Sequence, residues 1–257
     1  MKLFNFAYCK DFRNKIDYLA TICVEDWGKP NEYTTHPILH NYIKHTFSKL
    51  YYDYENTPQE ERSKIFAVQE DKYFIFNTGL YDEHWQKVYA YFTPNRYFNQ
   101  QWYYEAFITE YALRNLGINE FPQRANYFSD MKELIFDINY DLILQYDHIF
   151  GDENNNQRIP EAIRNHFNKQ ALFDGAILNT KKRIDANYKL ALPQYYDNKI
   201  QLLLPLYLTN PSTPDLALVV TRDDANKCYL GHTCLPIIWA YNNARLIAKP
   251  DSEWLVP

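Results

Sequence analysis

Two apolar runs constrain this chain more than any other feature: IQLLLPLYL at 200–208 and DLALVV at 215–220. Near-continuous runs of this length read as strands covered on both faces. The link between them contains NPSTP, a hairpin-type connection, so the runs are expected side by side and antiparallel in a central sheet. Proline cannot donate to a ladder, so Pro205 requires an edge position or a bulge.

The other segments supply partners for such a sheet. HPILHNYIKHTFSKLYY places Ile38, Leu39, Tyr42, Ile43, Phe47 and Leu50 on one helical stripe, and the first 55 residues read as helical. The period then changes. Stretches 64–69, 72–79 and 85–92 read as strands, with Val88, Ala90 and Phe92 on one face of the last and Tyr89 and Tyr91 on the other. Residues 101–116 are expected to be helical and to end near Gly117. One or two short strands are expected in 133–146, a polar loop at 151–158, and mostly helix from Pro160 to about Lys189, with Ile163, Phe167, Ala171 and Leu172 on one face. KCYLGHTCLPIIW reads as two short strands broken near Gly231. The expected fold class is α+β: one domain over 1–257, helical over about 1–60, with a sheet-containing body over about 61–257. The sheet is expected to be largely antiparallel, with helices packed on it.

Composition removes several function classes. Six glycines and the absence of G-x-G-x-x-G or G-x-x-x-x-G-K-[ST] argue against a phosphate loop or a dinucleotide fold, and no cofactor is expected. A net charge of -5 does not suit a protein that coats duplex DNA, though it permits a small basic pocket. The opening MKLFNFAYCKDFRNK lacks the apolar core of a signal peptide, and no apolar run reaches membrane-spanning length. The expected setting is the cytoplasm, with no membrane partner. Cysteines at 9, 23, 228 and 234 fit buried intracellular thiols. Cys228, His232 and Cys234 share strand parity, but C-x5-C does not match zinc-knuckle spacing, so no metal is expected.

Several polar clusters could carry chemistry. In AYNNARLIAKPDSEWL, at 240–255, an extended 239–247 would put Tyr241, Asn243 and Arg245 on one face. That face would offer a ring, an amide and a planar five-donor fork to a nucleotide-like ligand. The plainer reading pairs Arg245 with an internal carboxylate such as Asp215 or Asp251. FNTGL at 76–80 reads as a turn, with a peptide-amide anion nest as the alternative. In DHIFGDENNNQRIP, His148 stands beside Asp147 and ahead of Asp152 and Arg158, so it is a candidate general base. KKRIDANYKLALPQYY is the most basic segment; there Arg183, Asn187 and Lys189 precede two tyrosines. Such interleaving suits single-stranded nucleic acid, or else is a solvated helix end.

In this order, FNTGL, HIFGDENNNQRIP, ANYKLALPQYY, QLLLPLYL, DLALVV and AYNNARLIAKPDSEWL resemble the prokaryotic family catalogued as domain of unknown function 3825. The resemblance covers most of the chain from about residue 15 and is most specific in the C-terminal block. Members of that family are sometimes joined to small nucleic-acid-binding modules such as cold-shock domains, and no such module is recognisable in these 257 residues. The family carries no assigned activity, so no catalytic residue transfers. What the resemblance implies is one shared pocket holding Asn243, Arg245, Arg183, Lys189 and Arg158, with Tyr241 beside them and His148 near its rim. The expected function is recognition of a nucleotide or a short single-stranded RNA end, extended to phosphoester chemistry. The alternative is a non-enzymatic protein-interaction domain whose polar clusters are internal staples. The residues leave open whether the chain is an enzyme.

Overall fold

A computed structural model describes residues 1–23, 25–96, 99–252 and 254–256. The fold is α+β, with two five-stranded, mostly antiparallel sheets. The chain divides into two compact units, Met1–Asn126 and Tyr127–Pro257, each with one sheet. No described helix is long and apolar enough to cross a membrane.

The first unit runs α1 (Leu3–Phe6), β1 (Ala7–Tyr8), α2 (Phe12–Ile22), α3 (Pro37–Asn56), β2 (Ala67–Gln69), β3 (Tyr73–Tyr81), β4 (Lys87–Pro94), β5 (Trp102–Thr109) and α4 (Glu110–Asn115). Its sheet order is β1-β5-β4-β3-β2, antiparallel except for the β1–β5 pair. The α3 stripe read from the sequence is buried as expected. It meets an aromatic sheet face, where the Phe47 ring lies 5.5 Å from Phe76 and the Phe74 ring 5.4 Å from Phe92. Residues 101–116 correct the sequence reading: Trp102–Thr109 is a strand, and helix follows only over Glu110–Asn115. Pairing with β4 buries Trp102, Tyr104 and Phe107, and this tertiary gain outweighs helical periodicity in so aromatic a segment.

FNTGL is neither a strand-end turn nor an open nest. It lies inside β3, where the register against β4 shifts between Asn77 and Tyr81. Gly79 sits at φ 76° and its N–H donates to Asn77 Oδ1 at 2.9 Å, which is turn chemistry inside a strand. Asn77 and Thr78 are buried; Asn77 Nδ2 donates to Pro122 O and Thr78 Oγ1 to Val88 O. A Cβ on Gly79 would stand 2.7 Å from the Tyr42 hydroxyl, so the bulge admits no side chain there.

His40 on α3 packs against Phe12 with ring centroids 5.5 Å apart. Burial, followed by the charges of Lys44 and Arg13, pushes its pKa down to about 4. The unfolded chain therefore binds this proton first. The stabilisation by neutral His40 is complete above about pH 6.5 and is lost as pH falls from there toward about 4. Because the ring is half-exposed, the expected loss is about 1–2 kcal/mol. Urea midpoints at pH 7, 5.5 and 4.5 should fall less steeply for His40→Gln than for the native chain. Parallel curves would show that His40 is not the group responsible.

The second unit runs β6 (Asp141–Leu144), α5 (Tyr146–Gly151), α6 (Glu153–Arg158), α7 (Glu161–Arg164), α8 (Lys169–Ala186), β7 (Leu192–Tyr196), β8 (Lys199–Leu206), β9 (Leu216–Asp223), β10 (Cys228–Leu235) and α9 (Ile237–Ile247). The sheet order is β6-β10-β9-β8-β7. The two apolar runs become β8 and β9, antiparallel neighbours in register from Leu202↔Val220 to Leu206↔Leu216. One face, with Leu204, Leu218 and Val220, packs on Phe173, Ile177 and Ile184 of α8. β7 pairs with β8 only as far as Leu203, so Pro205 has no ladder partner on that side and its missing N–H costs nothing.

Four details differ from expectation. The supposed loop 151–158 is largely α6, capped by Asp152 accepting from Asn155 N at 2.9 Å. The helix expected from Pro160 to Lys189 breaks between Arg164 and Lys169, which leaves Phe167 95% exposed. KCYLGHTCL is one strand bulged near Gly231 rather than two. Finally, 239–247 is helical, and Ala240, Tyr241, Ala244 and Ile247 form its buried stripe. On a helix Asn243 turns away from the face that Tyr241 and Arg245 share at i and i+4, so no face presents all three together.

Candidate functional site

The site lies where β6 stops. β6 pairs in parallel with β10 only from Cys228 to Gly231, and Gln145 N then donates to Gly231 O at 2.8 Å. Beyond that point α5 and α6 flank the rest of β10. Gly231 permits this approach, because a Cβ there would stand 2.8 Å from Leu144 Cδ2. The strand bulges between Gly231 and Thr233. The extra residue is His232, whose Nε2 lies 3.2 Å from Thr221 Oγ1 on β9. Bulges re-aim side chains in this way. This one also separates the cysteines: Cys228 pairs opposite Asp223 and Cys234 opposite Leu218, residues of opposite parity on β9. The shared parity read from the sequence is therefore lost. Cys234 is wholly enclosed, and burial pushes its pKa up to about 12.

Two more candidate residues arrive from α5 and α6. Asn155 ties the elements together: its Nδ2 donates to His148 O at 3.2 Å, and its Oδ1 accepts from Thr233 Oγ1 at 2.6 Å. Arg158 Nη1 donates to Asn155 Oδ1 at 2.9 Å and to Thr233 Oγ1 and Cys234 O, each at 3.3 Å. The Arg158 guanidinium lies 5.0 Å from the Trp239 ring centroid, and Trp239 is 51% exposed. Burial pushes the His232 pKa down, and His148 nearby pushes it further. The Arg158 guanidinium thus meets the strand beside His232, with His148 near enough for its charge to act on that ring.

A line of side chains runs back from His232 through the sheet. Asn243 Nδ2 donates to Gln194 Oε1 at 3.1 Å, Gln194 Nε2 to Gln201 Oε1 at 2.9 Å, and Gln201 Nε2 to Thr221 Oγ1 at 3.1 Å. Gln194 is 1% exposed, so each bond matters to its partners. The donors all point one way. Thr221 Oγ1, which accepts from Gln201, has one hydrogen to donate to His232 Nε2 and a second lone pair to accept from it, and the ring's tautomer sets which bond forms. Where Thr221 donates, Nε2 of His232 is the acceptor and the ring proton belongs on Nδ1.

The model of the family described as Domain of unknown function (DUF3825) matches residues 19–254. The chain belongs to that family. No curated protein and no solved structure matches it. In this DUF3825 member the residues singled out from the sequence do not all converge. Arg158 and His148 stand at the bulge, and Asn243 joins them through the amide line. Arg183 is engaged elsewhere: its Nη2 donates to Pro211 O at 2.6 Å, and its guanidinium lies 4.0 Å from the Tyr207 ring centroid. It belongs to α8, which packs on the sheet face opposite the one that Asn243 approaches. Lys189 is exposed in a short 3-10 turn. Arg245 is 6% exposed and Tyr241 2%, and both are engaged within the structure. Asp215, one suggested partner of Arg245, instead accepts from Leu208 N and Thr209 N. Glu253, within the C-terminal block, lies outside the described residues.

In the sequence His232 carries only a metal reading, and Asn155, Gln194, Gln201 and Thr221 carry no functional one. A faint signal exists for two of them, since Gln201 and Thr221 are polar residues at the ends of otherwise apolar strands. Their convergence depends on register: Gln201 pairs opposite Gln194 on β7. Among the described residues, no three His, Cys, Asp or Glu side chains gather as a metal site would require.

Proposed function

We propose that the second unit binds the phosphate of a nucleotide or of a short single-stranded RNA end at the β10 bulge and carries out phosphoester chemistry on it. The observation that supports this is that Arg158 bonds to Thr233 beside the bulged His232, with His148 near enough for its charge to act on that ring. Guanidinium geometry matches a phosphate, and the exposed Trp239 ring offers a stacking surface beside it. The histidines then take different roles. His148 is the proton acceptor for an attacking hydroxyl. Neutral His232 donates a hydrogen bond from Nδ1 to the negative charge developing on the phosphoryl oxygen and keeps its proton. One P–O bond forms from the attacking oxygen and one breaks, and the departing oxygen takes a proton from water.

A second reading has its own support. All three acceptors of Arg158 Nη1 belong to the protein, as expected of a staple in a non-enzymatic interaction domain. Binding separates the two. Thermal melts against a panel of nucleotides and short RNAs carrying 5′ or 3′ phosphates should reveal a ligand that stabilises the native chain. At about 100 times its dissociation constant the shift corresponds to roughly 2.7 kcal/mol. Arg158→Ala should weaken that ligand about 10–100-fold, in line with losing a charge-assisted contact. If no phosphate ligand shifts the melt, or if Arg158→Ala lowers the ligand-free melt and leaves affinity intact, the staple reading prevails.

A further inference from the structure

A polar concavity lies within the first unit, on the sheet face turned away from α2 and α3. Part of that face is covered, since Leu113, Ile118 and Phe121 pack over Ile75 and Tyr89. The end near β1 is open and forms a cleft of about 940 Å³. Its walls include Tyr8 and Tyr103, register partners on the parallel β1–β5 pair with ring centroids 5.9 Å apart. They face the cleft because their neighbours Ala7, Trp102 and Tyr104 are buried on the other side. Lys10, Lys72 and Arg96 come to the same cleft from three different connections: after β1, between β2 and β3, and after β4. All three are exposed, and none forms an ion pair among the described residues. Two carboxylates, Asp71 and Glu105, line it as well, so positive charge is in excess. One Glu105 oxygen accepts from Thr93 Oγ1 at 2.7 Å, which holds the carboxylate in place.

We infer that this cleft is a binding platform for single-stranded nucleic acid, separate from the β10 site and independent of the chemistry proposed there. The ligand class follows from the walls. The Tyr103 ring on the sheet suits stacking with a base, and cations spread around an open rim track a chain of phosphates better than they enclose one. The fixed Glu105 carboxylate would accept from an amino group on a base edge and disfavour bases lacking one. A duplex keeps its bases stacked inside and cannot use the tyrosines.

The test uses the full chain and fluorescein-labelled ten-nucleotide single strands, with a blunt duplex and mononucleotides as competitors, read by anisotropy. The native chain should bind the single strand and prefer it to the duplex. Lys72→Glu combined with Arg96→Glu should weaken binding at least about 10-fold and make it less sensitive to salt, since phosphate contacts are lost. Tyr103→Leu should weaken it about 10-fold, while Tyr103→Phe keeps the stacking face and stays near native affinity. The strands carry no terminal phosphate, the group the β10 site is proposed to take; loss of their binding in the Lys72→Glu, Arg96→Glu variant, with its phosphate-ligand melts unchanged, separates failure here from failure at the β10 site. The inference is overturned if no single strand binds at low salt, if the exposed-loop double variant binds as the native chain does, or if duplex or mononucleotide competes equally well. Should Tyr103→Leu fail to fold, the double variant at exposed positions still decides the matter.

Discussion

Arg245→Ala is expected to destabilise the protein by about 3–5 kcal/mol, the cost of removing one partner from a buried polar or charged contact. Arg245 is 6% exposed, lies among Ala244, Leu246 and Ile247, and is engaged within the structure. Arginine is almost never so enclosed unless it serves an internal group. Its removal leaves that group unsatisfied and opens a void beneath α9. Urea unfolding with and without the phosphate ligand reads the result. A large fall in the ligand-free midpoint makes Arg245 part of the architecture. An unchanged midpoint with lost ligand binding would instead return Arg245 to the site.

His148→Ala should lower turnover of the phosphoester identified by the binding panel by about 10²–10⁴-fold, the usual contribution of a positioned general base. His148 is exposed on α5, so the variant should fold normally and single-turnover rates should isolate the chemical step. The role of His232 has a separate readout. In the native chain, ¹⁵N NMR should find its proton on Nδ1, because the donors from Asn243 to Gln201 run toward Thr221 and leave its hydroxyl hydrogen for Nε2. Thr221→Val removes the last donor. The lone pair on Nε2 is then freer to take a proton, so the pKa of His232 should rise from its depressed value. A native ring protonated on Nε2 would make Thr221 the acceptor of that bond and remove the role assigned to His232. Unchanged turnover in His148→Ala would leave Arg158 as a binding residue without this chemistry.

Much of the fold was legible because local signals agreed with the tertiary outcome. The α3 stripe, the β8–β9 pair and the edge position of Pro205 each follow from periodicity or from a missing N–H. Residues 101–116 were not legible in this way. WYYEAFITEY is compatible with helix or strand, and only the neighbouring β4 selects the strand. The C-terminal block failed for a related reason. Apolar residues at 240, 241, 244 and 247 fit a helix, while Asn242, Asn243 and Arg245 also allow an alternating strand.

By itself, the sequence determined the α+β class, the buried antiparallel pair and the family. These depend on composition and on short-range spacing, both carried by consecutive residues. Tertiary structure decided which polar groups meet. Arg183 and Asn243 look equivalent in a linear reading, yet they belong to helices on opposite faces of one sheet. His232 looks like a strand residue beside two cysteines, yet one extra residue at the bulge turns it to Thr221 and parts those cysteines. Pairing between distant strands fixes both outcomes, and a register depends on the whole sheet closing, which no short stretch of residues encodes.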